Sequence, residues 1–442
     1  MKRKDYLIIA VFALALILFA IFSSKISFHD SGEYITIAKN LAGIDNVQIF
    51  SAHSLLYPAF MALFLKIWPS LVMVKLVNCL WIFLIGLVLL WKKNKTAFIL
   101  FALSPLTWFV SIQTTPVLPA AFFMLLAYLF LKEDKIKSNL AYSGLFLGLS
   151  AAVYDPMFLV AFFFILIYFW NRKFKDSVLY SIAILAGFLP RLILDAYLFG
   201  NPFYSLIKYI GANALITFGF RQGTGNLQFL NTGLVVLLVF VAISPLLFKI
   251  YSAKLKDSRK DLLFLGIVFL IFLIRGALLK YFIIISPIIL LILAKIFTKK
   301  DVKWHCILSI PIIIGLTYGC FASDELIIQK DLNNIINDYK TDYIIAEPYQ
   351  ALYIAEFLWQ NKPEIVWFED FNASINNQSE FREYDFNMAK SKLRLKENLV
   401  FSARFERFEN RTYDNYILVA KKDAEYGGFE LDRCYSALCV YT

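Results

Sequence analysis

Two carboxylates and an imidazole lie close together in the stretch SFHDSGEYITIAKN, residues 27–40 of the 442-residue chain. Asp30 and Glu33 stand about one helical turn apart, and His29 precedes them. Carboxylates are side chains that act as general bases or bind metal ions. The spacing Asp-x-x-Glu is also close to a capping box, in which both side chains satisfy free N–H groups at a helix start. The two roles are compatible, because an acid fixed by a helix start is well oriented for chemistry.

The segment after Asp30 is predicted to be a short helix. Its apolar residues recur at the i, i+3, i+4 and i+7 positions, namely Tyr34, Ile37, Ala38 and Leu41. The helix is too short to cross a membrane, so we expect it to lie on the outer surface. A second semi-apolar stretch, 51–68, is interpreted as a surface or re-entrant helix ending at Pro69. Both belong to one long external loop, 24–70, which also contains His53.

The elements that position these residues are predicted to be membrane helices. The chain is 60% hydrophobic with a mean hydropathy of +0.64, above what soluble domains show. Apolar runs of membrane-spanning length predict a mainly α, polytopic helical bundle of about 11 transmembrane helices. The predicted spans are 6–23, 71–91, 96–111, 116–131, 138–151, 153–170, 177–198, 229–251, 261–277, 280–297 and 304–322.

Lys and Arg residues cluster in alternate connections between these spans. The clusters begin near positions 1, 91, 132, 171, 253 and 295, and the other connections hold few cations. This pattern places the N-terminus in the cytoplasm, and an odd number of spans places the end of the chain outside. The net charge of +11 is therefore explained by membrane topology, and we expect no nucleic-acid partner.

The last part of the chain changes character at about Ser323. We predict a transmembrane domain over 1–322 and a small extracytoplasmic α/β domain over 323–442. Strands are expected at 342–347, 364–370, 399–405 and 415–422, with a helix at 349–361. Cys434 and Cys439 could form a disulfide if this domain is outside, or could remain free thiols. Three His residues in total argue against a His-based metal site.

Several stretches together resemble the C-type glycosyltransferases, which include protein O-mannosyltransferases and the aminoarabinose transferase of lipid A. HDSGEYITIAKNL matches the acid motif of the first loop, and HSLLYPAFMALFLKI is similar to the next segment, with Tyr57-Pro58 in register. The segments 103–131, 199–205 and 278–294 follow in the family's order, so the resemblance covers most of 1–298. The chain departs from the family in having Lys280-Tyr281 for Arg-Tyr and Leu-Tyr-Pro for Gly-Tyr-Pro.

The resemblance implies transfer of a sugar from a dolichyl- or undecaprenyl-phosphate donor to a lipid, glycan or protein acceptor on the outer membrane face. Asp30 would then be the base that takes the proton of the acceptor hydroxyl. Glu33 would orient the acceptor or share a metal with Asp30. Whether Mg²⁺ or Mn²⁺ takes part is left open, and no other cofactor is expected.

The leaving phosphate gains negative charge and needs cationic or hydrogen-bonding partners. The candidates for this role and for other substrate contacts are His53, Tyr57, Arg191, Arg221, Arg275, Lys280 and Tyr281, and Asp155 is a possible second acid. Each has a structural alternative. Arg191 could pair with Asp195 four residues on, Arg221 lies in a Gly-rich loop, Arg275 and Lys280 could reach headgroups, and Asp155 could serve only an Asp-Pro turn.

Two other function classes fit a polytopic membrane protein. A lipid or solute transporter or flippase would show inverted repeats, broken helices and charges near the middle of the membrane. We find no convincing repeat between the two halves, and most ionisable residues fall at span boundaries. A non-enzymatic scaffold that presents the external domain would leave the acids of the first loop without a role. The sequence therefore favours the transferase.

Overall fold

The protein is described here from a computed structural model. The structure describes residues 3–24, 31–44, 53–92, 94–111, 113–133, 137–169, 173–217, 259–274, 279–321, 325–346, 363–367, 414–421 and 428–442. Every structural statement below concerns these residues.

Helices make up most of the described chain. They are α1 Arg3–Phe22, α2 Ser31–Leu41, α3 Leu56–Leu65, α4 Leu71–Trp91, α5 Lys95–Ala102, α6 Pro105–Ser111, α7 Val117–Lys132, α8 Lys137–Val153, α9 Met157–Phe169, α10 Phe174–Phe199, α11 Tyr204–Thr217, α12 Arg259–Ile274, α13 Ser286–Leu293, α14 Lys299–Phe321 and α15 Glu325–Asp338. A 3₁₀ helix, Leu279–Ile284, precedes α13.

Four of the described helices, α1, α4, α10 and α14, are long and apolar enough to cross a membrane. Shorter apolar helices, including α7, α8 and α9, pack with α4 around one continuous hydrophobic core. Large apolar side chains point outward from α1, α10 and α14, as expected for helices that face lipid. The chain is a multi-pass membrane protein with a mainly helical bundle, which confirms the predicted fold class.

Proline explains two places where one predicted span is divided in two. The prediction 96–111 corresponds to α5 and α6, which are separated at Ser104 immediately before Pro105. The residue before a proline disfavours helical geometry, so the helix ends there. The prediction 280–297 is likewise divided into the 3₁₀ helix and α13, which has Pro287 in its first turn. The predicted span 229–251 lies outside the described residues.

The first loop contains the two helices that the sequence predicted. In α2, Tyr34, Ile37 and Ala38 are buried, as the apolar stripe requires, and α2 packs against α3. The hydroxyl group of Ser31 donates a hydrogen bond to the carbonyl oxygen of Thr114 (3.1 Å), just before α7. The start of α2 is therefore fixed to the bundle.

Glycines allow α8 and α10 to approach closely. A methyl group added at Gly148 would lie 2.1 Å from the carbonyl oxygen of Ile184, and one added at Gly187 would lie 2.1 Å from that of Leu145. Gly144, four residues before Gly148, faces α10 in the same way. This small-xxx-small pattern is a common means of packing membrane helices. The close packing fixes the position of α10 relative to the turn that follows α8.

The described C-terminal residues form a small α/β unit. Strands β1 Tyr343–Ala346, β2 Glu364–Trp367, β3 Tyr416–Lys421, β4 Leu431–Cys434 and β5 Leu438–Tyr441 form a sheet in the order β2-β1-β3-β5-β4. β1 is parallel to β2 and β3, and the remaining pairs are antiparallel. Residues Ile328, Leu332 and Ile335 of α15 pack on one face of this sheet.

Three of the five strands coincide with predicted ones, whereas the β4–β5 hairpin was not predicted. A disulfide between Cys434 and Cys439 joins the two strands of this hairpin. Of the two alternatives that the sequence left open, a disulfide or two free thiols, the structure contains the disulfide. The predicted helix 349–361 and strand 399–405 lie outside the described residues.

Candidate functional site

Asp155 connects three parts of the bundle. It lies in the turn between α8 and α9, and its side chain is only 2% exposed. Its Oδ1 atom forms an ion pair with Nη2 of Arg191 on α10 at 2.6 Å. Its Oδ2 atom accepts a hydrogen bond from the backbone N–H of Ser54 (3.3 Å) and lies 3.6 Å from Nδ1 of His53. Asp155 therefore does more than stabilise an Asp-Pro turn.

The charge of Asp155 is maintained despite its burial. Desolvation alone would raise the pKa of this carboxyl, because a buried charge is costly. The neighbouring His53 and Arg191 side chains outweigh this effect and lower the pKa of Asp155 below its ordinary value. We therefore treat Asp155 as a carboxylate at neutral pH.

Arg191 is fully buried within α10, a helix of membrane-spanning length. Buried ionisable groups in such helices need partners. Nε of Arg191 donates a hydrogen bond to the hydroxyl oxygen of Ser205 (3.1 Å), and this hydroxyl donates to Oδ2 of Asp195 (2.6 Å). Arg191 therefore pairs with Asp155, and among the described residues its hydrogen-bonded link to Asp195 runs through Ser205. The sequence suggested an ion pair between Arg191 and Asp195 within one helix. In the structure, both side chains instead form hydrogen bonds to Ser205 at the start of α11.

The packing of α8 against α10 brings Asp155 and Arg191 together. Arg191 lies about one helical turn beyond Gly187, and Asp155 lies two residues beyond the end of α8. Because the glycines set a short distance between the two helix axes, the buried guanidinium reaches the carboxylate in the turn. The ion pair thus depends on the glycine contacts.

His53 is surrounded by aromatic rings as well as by Asp155. The ring centroids of Tyr34 on α2 and Tyr209 on α11 each lie 6.0 Å from that of the His53 imidazole. The side chain of His53 is 32% exposed, in contrast to the buried Asp155. The imidazole is therefore held from one edge while part of it remains accessible.

Tyr57 is a buried anchor in the first loop. Its hydroxyl donates a short hydrogen bond to Oδ1 of Asn78 on α4, and Nδ2 of Asn78 donates to the hydroxyl of Thr114 (3.3 Å). Burial raises the pKa of the Tyr57 hydroxyl far above its ordinary value. The ring centroids of Tyr57 and Tyr34 lie 5.9 Å apart. These contacts link α3, α4 and α2, and the predicted substrate role of Tyr57 stays a prediction.

The two acids of the first loop, Asp30 and Glu33, are located only in part. α2 begins at Ser31, directly after Asp30 in the sequence. Asp30 lies outside the described residues, and so does the side chain of Glu33. The contact between Tyr34 and His53 places α2 beside the His53–Asp155–Arg191 cluster.

Lys280 and Tyr281 approach the same end of the bundle as Asp155. The ring centroids of Tyr281 and Tyr154, the residue before Asp155, lie 6.2 Å apart. Nζ of Lys280 lies 5.8 Å from the centroid of the Tyr281 ring, and Lys280 is largely buried. The two residues are thus near the cluster, whereas Arg221 and Arg275 lie outside the described residues.

Three buried lysines were not singled out from the sequence. Lys39, Lys75 and Lys208 are at most 4% exposed. Nζ of Lys208 lies 4.2 Å from the centroid of the Tyr204 ring on the same helix, and Nζ of Lys75 donates to the carbonyl oxygen of Ser23. For Lys75, its position inside an otherwise almost wholly apolar helix was the available signal.

A second polar cluster occupies the opposite end of α9. Asp261 on α12 is 2% exposed and forms an ion pair with Lys132 at 2.7 Å. It also accepts hydrogen bonds from the hydroxyl groups of Tyr128 (3.1 Å) and Tyr168 (2.5 Å). Because Asp155 precedes α9 and Tyr168 lies at its end, the two buried acids mark opposite ends of the bundle. This second cluster was not predicted from the sequence.

Possible metal ligands are sparse in the part of the chain that the structure describes. It contains no group of three or more His, Cys, Asp or Glu residues that could hold a metal ion. Both oxygens of Asp155 are occupied by Arg191, Ser54 and His53. Asp155 therefore does not fit a metal ligand, and the possible metal role of Asp30 and Glu33 stays a prediction.

Comparison with known proteins places this geometry in a known architecture. No protein-family model and no curated protein matches the chain. The crystal structure of ArnT from Cupriavidus metallidurans bound to undecaprenyl phosphate superposes with a TM-score of 0.66 at 11% sequence identity, covering 100% of this chain and 98% of that chain. This chain has the ArnT fold. The apo state of ArnT gives a TM-score of 0.64 at 11% identity, covering 99% and 97% of the two chains.

The ArnT fold agrees with the resemblance found in the sequence. ArnT is an aminoarabinose transferase of the C-type glycosyltransferase class, one of the relatives that the sequence motifs indicated. At 11% identity this likeness concerns the fold.

Proposed function

We propose that the protein is a membrane glycosyltransferase that moves a sugar from a polyprenyl-phosphate donor to an acceptor on the outer membrane face. The observation that carries the proposal is the His53–Asp155–Arg191 cluster, built beside α2 at one end of an ArnT-fold bundle. A buried acid that fixes an accessible imidazole and a buried guanidinium is a costly arrangement in a membrane protein. Such arrangements are expected at functional sites.

The chemistry needs a base and a stabilised leaving group. The acceptor hydroxyl oxygen forms a bond to the anomeric carbon of the sugar, and its proton passes to a carboxylate, which we assign to Asp30. The bond between the anomeric carbon and the phosphate oxygen breaks, and the electron pair stays on the phosphate. Glu33 orients the acceptor. His53 and Lys280, together with Arg221 and Arg275, supply charge for the phosphate.

Several finer assignments belong to the same proposal. The donor carrier is undecaprenyl or dolichyl phosphate, and ArnT was crystallised with undecaprenyl phosphate. The acceptor is a lipid, a glycan or a protein. The C-terminal domain lies outside the cell and covers the acceptor side. A divalent cation, if used, is held by Asp30 and Glu33, and chelation should then abolish activity.

The first experiment is release of free polyprenyl phosphate by the purified protein. A panel of polyprenyl-phosphate sugars would be offered with candidate acceptors, with and without Mg²⁺ or Mn²⁺. We expect release by the wild type, loss of at least about 100-fold in Asp30→Asn, and retention in Asp45→Asn, a matched change in the same loop. Equal release by wild type and Asp30→Asn would remove Asp30 as the base. Absence of release with every donor would contradict the transferase.

A transporter is the second candidate, and one observation favours it. Arg191 and Asp195 are ionisable residues inside a continuous helix of membrane-spanning length, and charges away from the ends of a span are a feature of transporters. A flippase would move polyprenyl-phosphate sugar between the leaflets of a proteoliposome without cleaving it. Cleavage without transbilayer movement supports the transferase, and movement of intact donor supports the transporter.

A further inference from the structure

Six aromatic side chains form a continuous strip across α3, α4, α7 and α8. Neighbouring ring centroids along it lie 4.9–6.3 Å apart, within the range of favourable aromatic pairs. Three successive rings in it are stacked with interplanar angles of 15°. In order, the members of this aromatic strip are Phe60 on α3, Trp81 on α4, Phe123 on α7, Phe146 on α8, Phe130 on α7 and Tyr142 on α8.

The aromatic strip runs from one end of the bundle to the other. Phe60 lies about one helical turn after Tyr57, on the helix that packs against α2. Phe130 lies at the end of α7 that takes part in the Asp261 cluster. The rings between these two fall near the middle of their helices. The strip therefore begins beside the candidate site and crosses the apolar layer.

Most of the aromatic strip lies at the surface of the bundle. Tyr142 is 50% exposed, and the four phenylalanines of the strip are partly exposed. Trp81 is buried and lies between the rings of Phe60 and Phe123. The exposed surface of membrane helices contacts hydrocarbon chains. An apolar chain that lies alongside α4, α7 and α8 would therefore contact these rings.

The composition of the strip differs from that of other lipid-facing surfaces. The large apolar side chains exposed along the middle of α10 are all aliphatic, namely Val178, Ile182, Leu185, Leu189 and Ile193. On α1, α10 and α14 the exposed aromatic residues lie toward the helix ends. This distribution is typical of helices in contact with bulk lipid, where aromatic side chains mark the two interfaces. A row of rings through the middle of the membrane needs another explanation.

We propose that the aromatic strip is the binding surface for the isoprenoid chain of the lipid-linked donor. This inference rests on the proposed function, since it takes the donor to be a polyprenyl phosphate. The chain would extend from the phosphate near α3 and lie over the rings toward the end of the bundle that contains Asp261.

The chemistry of an isoprenoid chain suits a row of aromatic rings. Each isoprene unit contains a carbon–carbon double bond and a methyl branch, so the chain presents flat segments and many C–H groups. The face of an aromatic ring carries the negative part of its quadrupole and attracts such groups. Flat segments that stack on rings also make many dispersion contacts. A saturated acyl chain has no flat segments and gains less from the same surface.

The membrane makes these specific contacts decisive for affinity. The isoprenoid chain is already in apolar surroundings before it binds, so burial alone gives little gain, and packing has to supply the free energy. Because the strip places one ring after another, a long chain makes more of these contacts than a short one. Affinity should therefore increase with chain length, and the far end of the strip should matter only for long chains.

Two matched double variants test the strip. Phe130→Leu with Phe146→Leu removes two rings at its far end. Phe162→Leu with Phe163→Leu removes a pair of rings 5.4 Å apart on α9, outside the strip. The affinity of each full-length protein in nanodiscs would be measured for undecaprenyl phosphate and for farnesyl phosphate, which share the phosphate and differ in tail length.

We expect the strip variant to bind undecaprenyl phosphate about tenfold more weakly than the wild type does, and to bind farnesyl phosphate equally well. The α9 variant should bind both lipids as the wild type does. Equal losses in the two variants, or no loss in either, would overturn the proposal and leave the strip as a surface for bulk lipid. A loss of the same size for both lipids would also overturn it, because the effect would then lie at the phosphate.

Photolabelling of the wild type locates the chain without any variant. An undecaprenyl phosphate analogue with a photoreactive group at the end of its tail would be cross-linked to the protein, and the labelled peptides would be identified. We expect labels on α7 and α8 near Phe130 and Tyr142, reduced by excess undecaprenyl phosphate and not by excess phospholipid. Labels confined to α1, α10 or α14 would contradict the proposal.

The same label separates this inference from the proposed function. A labelled strip in a protein that releases polyprenyl phosphate from none of the donors would retain the isoprenoid site and contradict the transferase. Release of polyprenyl phosphate with the label on another face would support the transferase and contradict the strip.

Discussion

Oδ1 of Asp155 lies 2.6 Å from Nη2 of Arg191, and both side chains are buried almost completely. This ion pair joins the turn after α8 to the middle of a membrane-length helix. Neither charge is tolerated alone in an apolar environment, because removal of one side chain leaves the other buried without its ion-pair partner. The pair therefore connects the turn after α8 to α10, and it also holds the carboxylate that contacts His53.

Removal of Arg191 should destabilise the protein strongly. In Arg191→Met the Asp155 carboxylate is left buried without its cation, and we expect a loss of about 3–5 kcal/mol in the free energy of unfolding. Thermal unfolding in detergent would measure it. The double variant Arg191→Met, Asp155→Asn should recover part of the loss, since the buried charge is then absent.

Lys92 provides the matched control for this prediction. It pairs with Glu133 at 2.7 Å on an exposed surface. Exposed ion pairs contribute at most about 1 kcal/mol, so Lys92→Met should have a small effect. Similar losses in Arg191→Met and Lys92→Met would contradict the importance of burial at the Asp155 pair.

The close packing of α8 on α10 should be sensitive to a single methyl group. Gly148→Ala places a carbon against the carbonyl oxygen of Ile184, and overpacking of this kind costs about 1–3 kcal/mol. Gly266→Ala on α12 is the control, because no described atom outside its own helix backbone and its two chain neighbours lies within 4 Å of the added methyl. We expect a lower unfolding temperature only for Gly148→Ala. An unchanged unfolding temperature in this variant would contradict the importance of the close contact between α8 and α10.

The hydroxyl of Tyr57 should matter for stability rather than for donor binding. Tyr57→Phe leaves the buried Asn78 without a hydrogen-bond donor, which costs about 1–3 kcal/mol. Unfolding temperature and the KM for the donor would be measured together. A raised KM with unchanged stability would instead support the substrate contact predicted from the sequence.

The lowered pKa of Asp155 predicts a pH dependence of stability. A carboxyl whose pKa is lower in the folded state stabilises the protein above its ordinary value, 3.8, and loses this contribution as the pH falls toward the folded value. The stability advantage of wild type over Asp155→Asn should therefore be larger at pH 5 than at pH 3. Ordinary imidazoles are protonated at both pH values, so histidine titration does not contribute to the difference. An advantage that is equal at both values would be inconsistent with this carboxylate.

The location of the C-terminal domain can be tested with its disulfide. If the domain is outside, an impermeant maleimide should label Cys434 and Cys439 in intact cells after mild reduction, and not before. A cysteine introduced at Lys93, in a predicted cytoplasmic connection, is the control and should react only after lysis. Labelling of Cys434 and Cys439 only after lysis, with labelling at position 93 in intact cells, would contradict the predicted topology.

Periodicity and hydropathy were sufficient to predict the helices of the bundle. The span 71–91 coincides with α4, and the stripe of Tyr34, Ile37 and Ala38 is buried in α2. These features depend on local patterns, which a sequence displays directly. The helix breaks before Pro105 and Pro287 were not predicted. The two prolines were the available signal, but each lies within a long apolar run that was interpreted as one span.

The partners of the site were harder to predict, because they depend on contacts between distant segments. Arg191 had a plausible neighbour in Asp195, and only the packing of α8 on α10 shows that Asp155 is its ion-pair partner. The glycine spacing of α8 was a usable signal for this packing. Ser205, which links Arg191 to Asp195, had no distinguishing feature in the sequence.

The glycine contacts between α8 and α10 also restrict how the molecule can move. A shift of either helix along the other would drive backbone carbonyls into positions that have no room for them, so the two helices and the turn bearing Asp155 should behave as one rigid body. If the protein is the proposed transferase, a cysteine bridge between these two helices should leave its turnover intact. A long lipid tail would then enter the bundle by displacement of other helices, while α8 and α10 keep their positions.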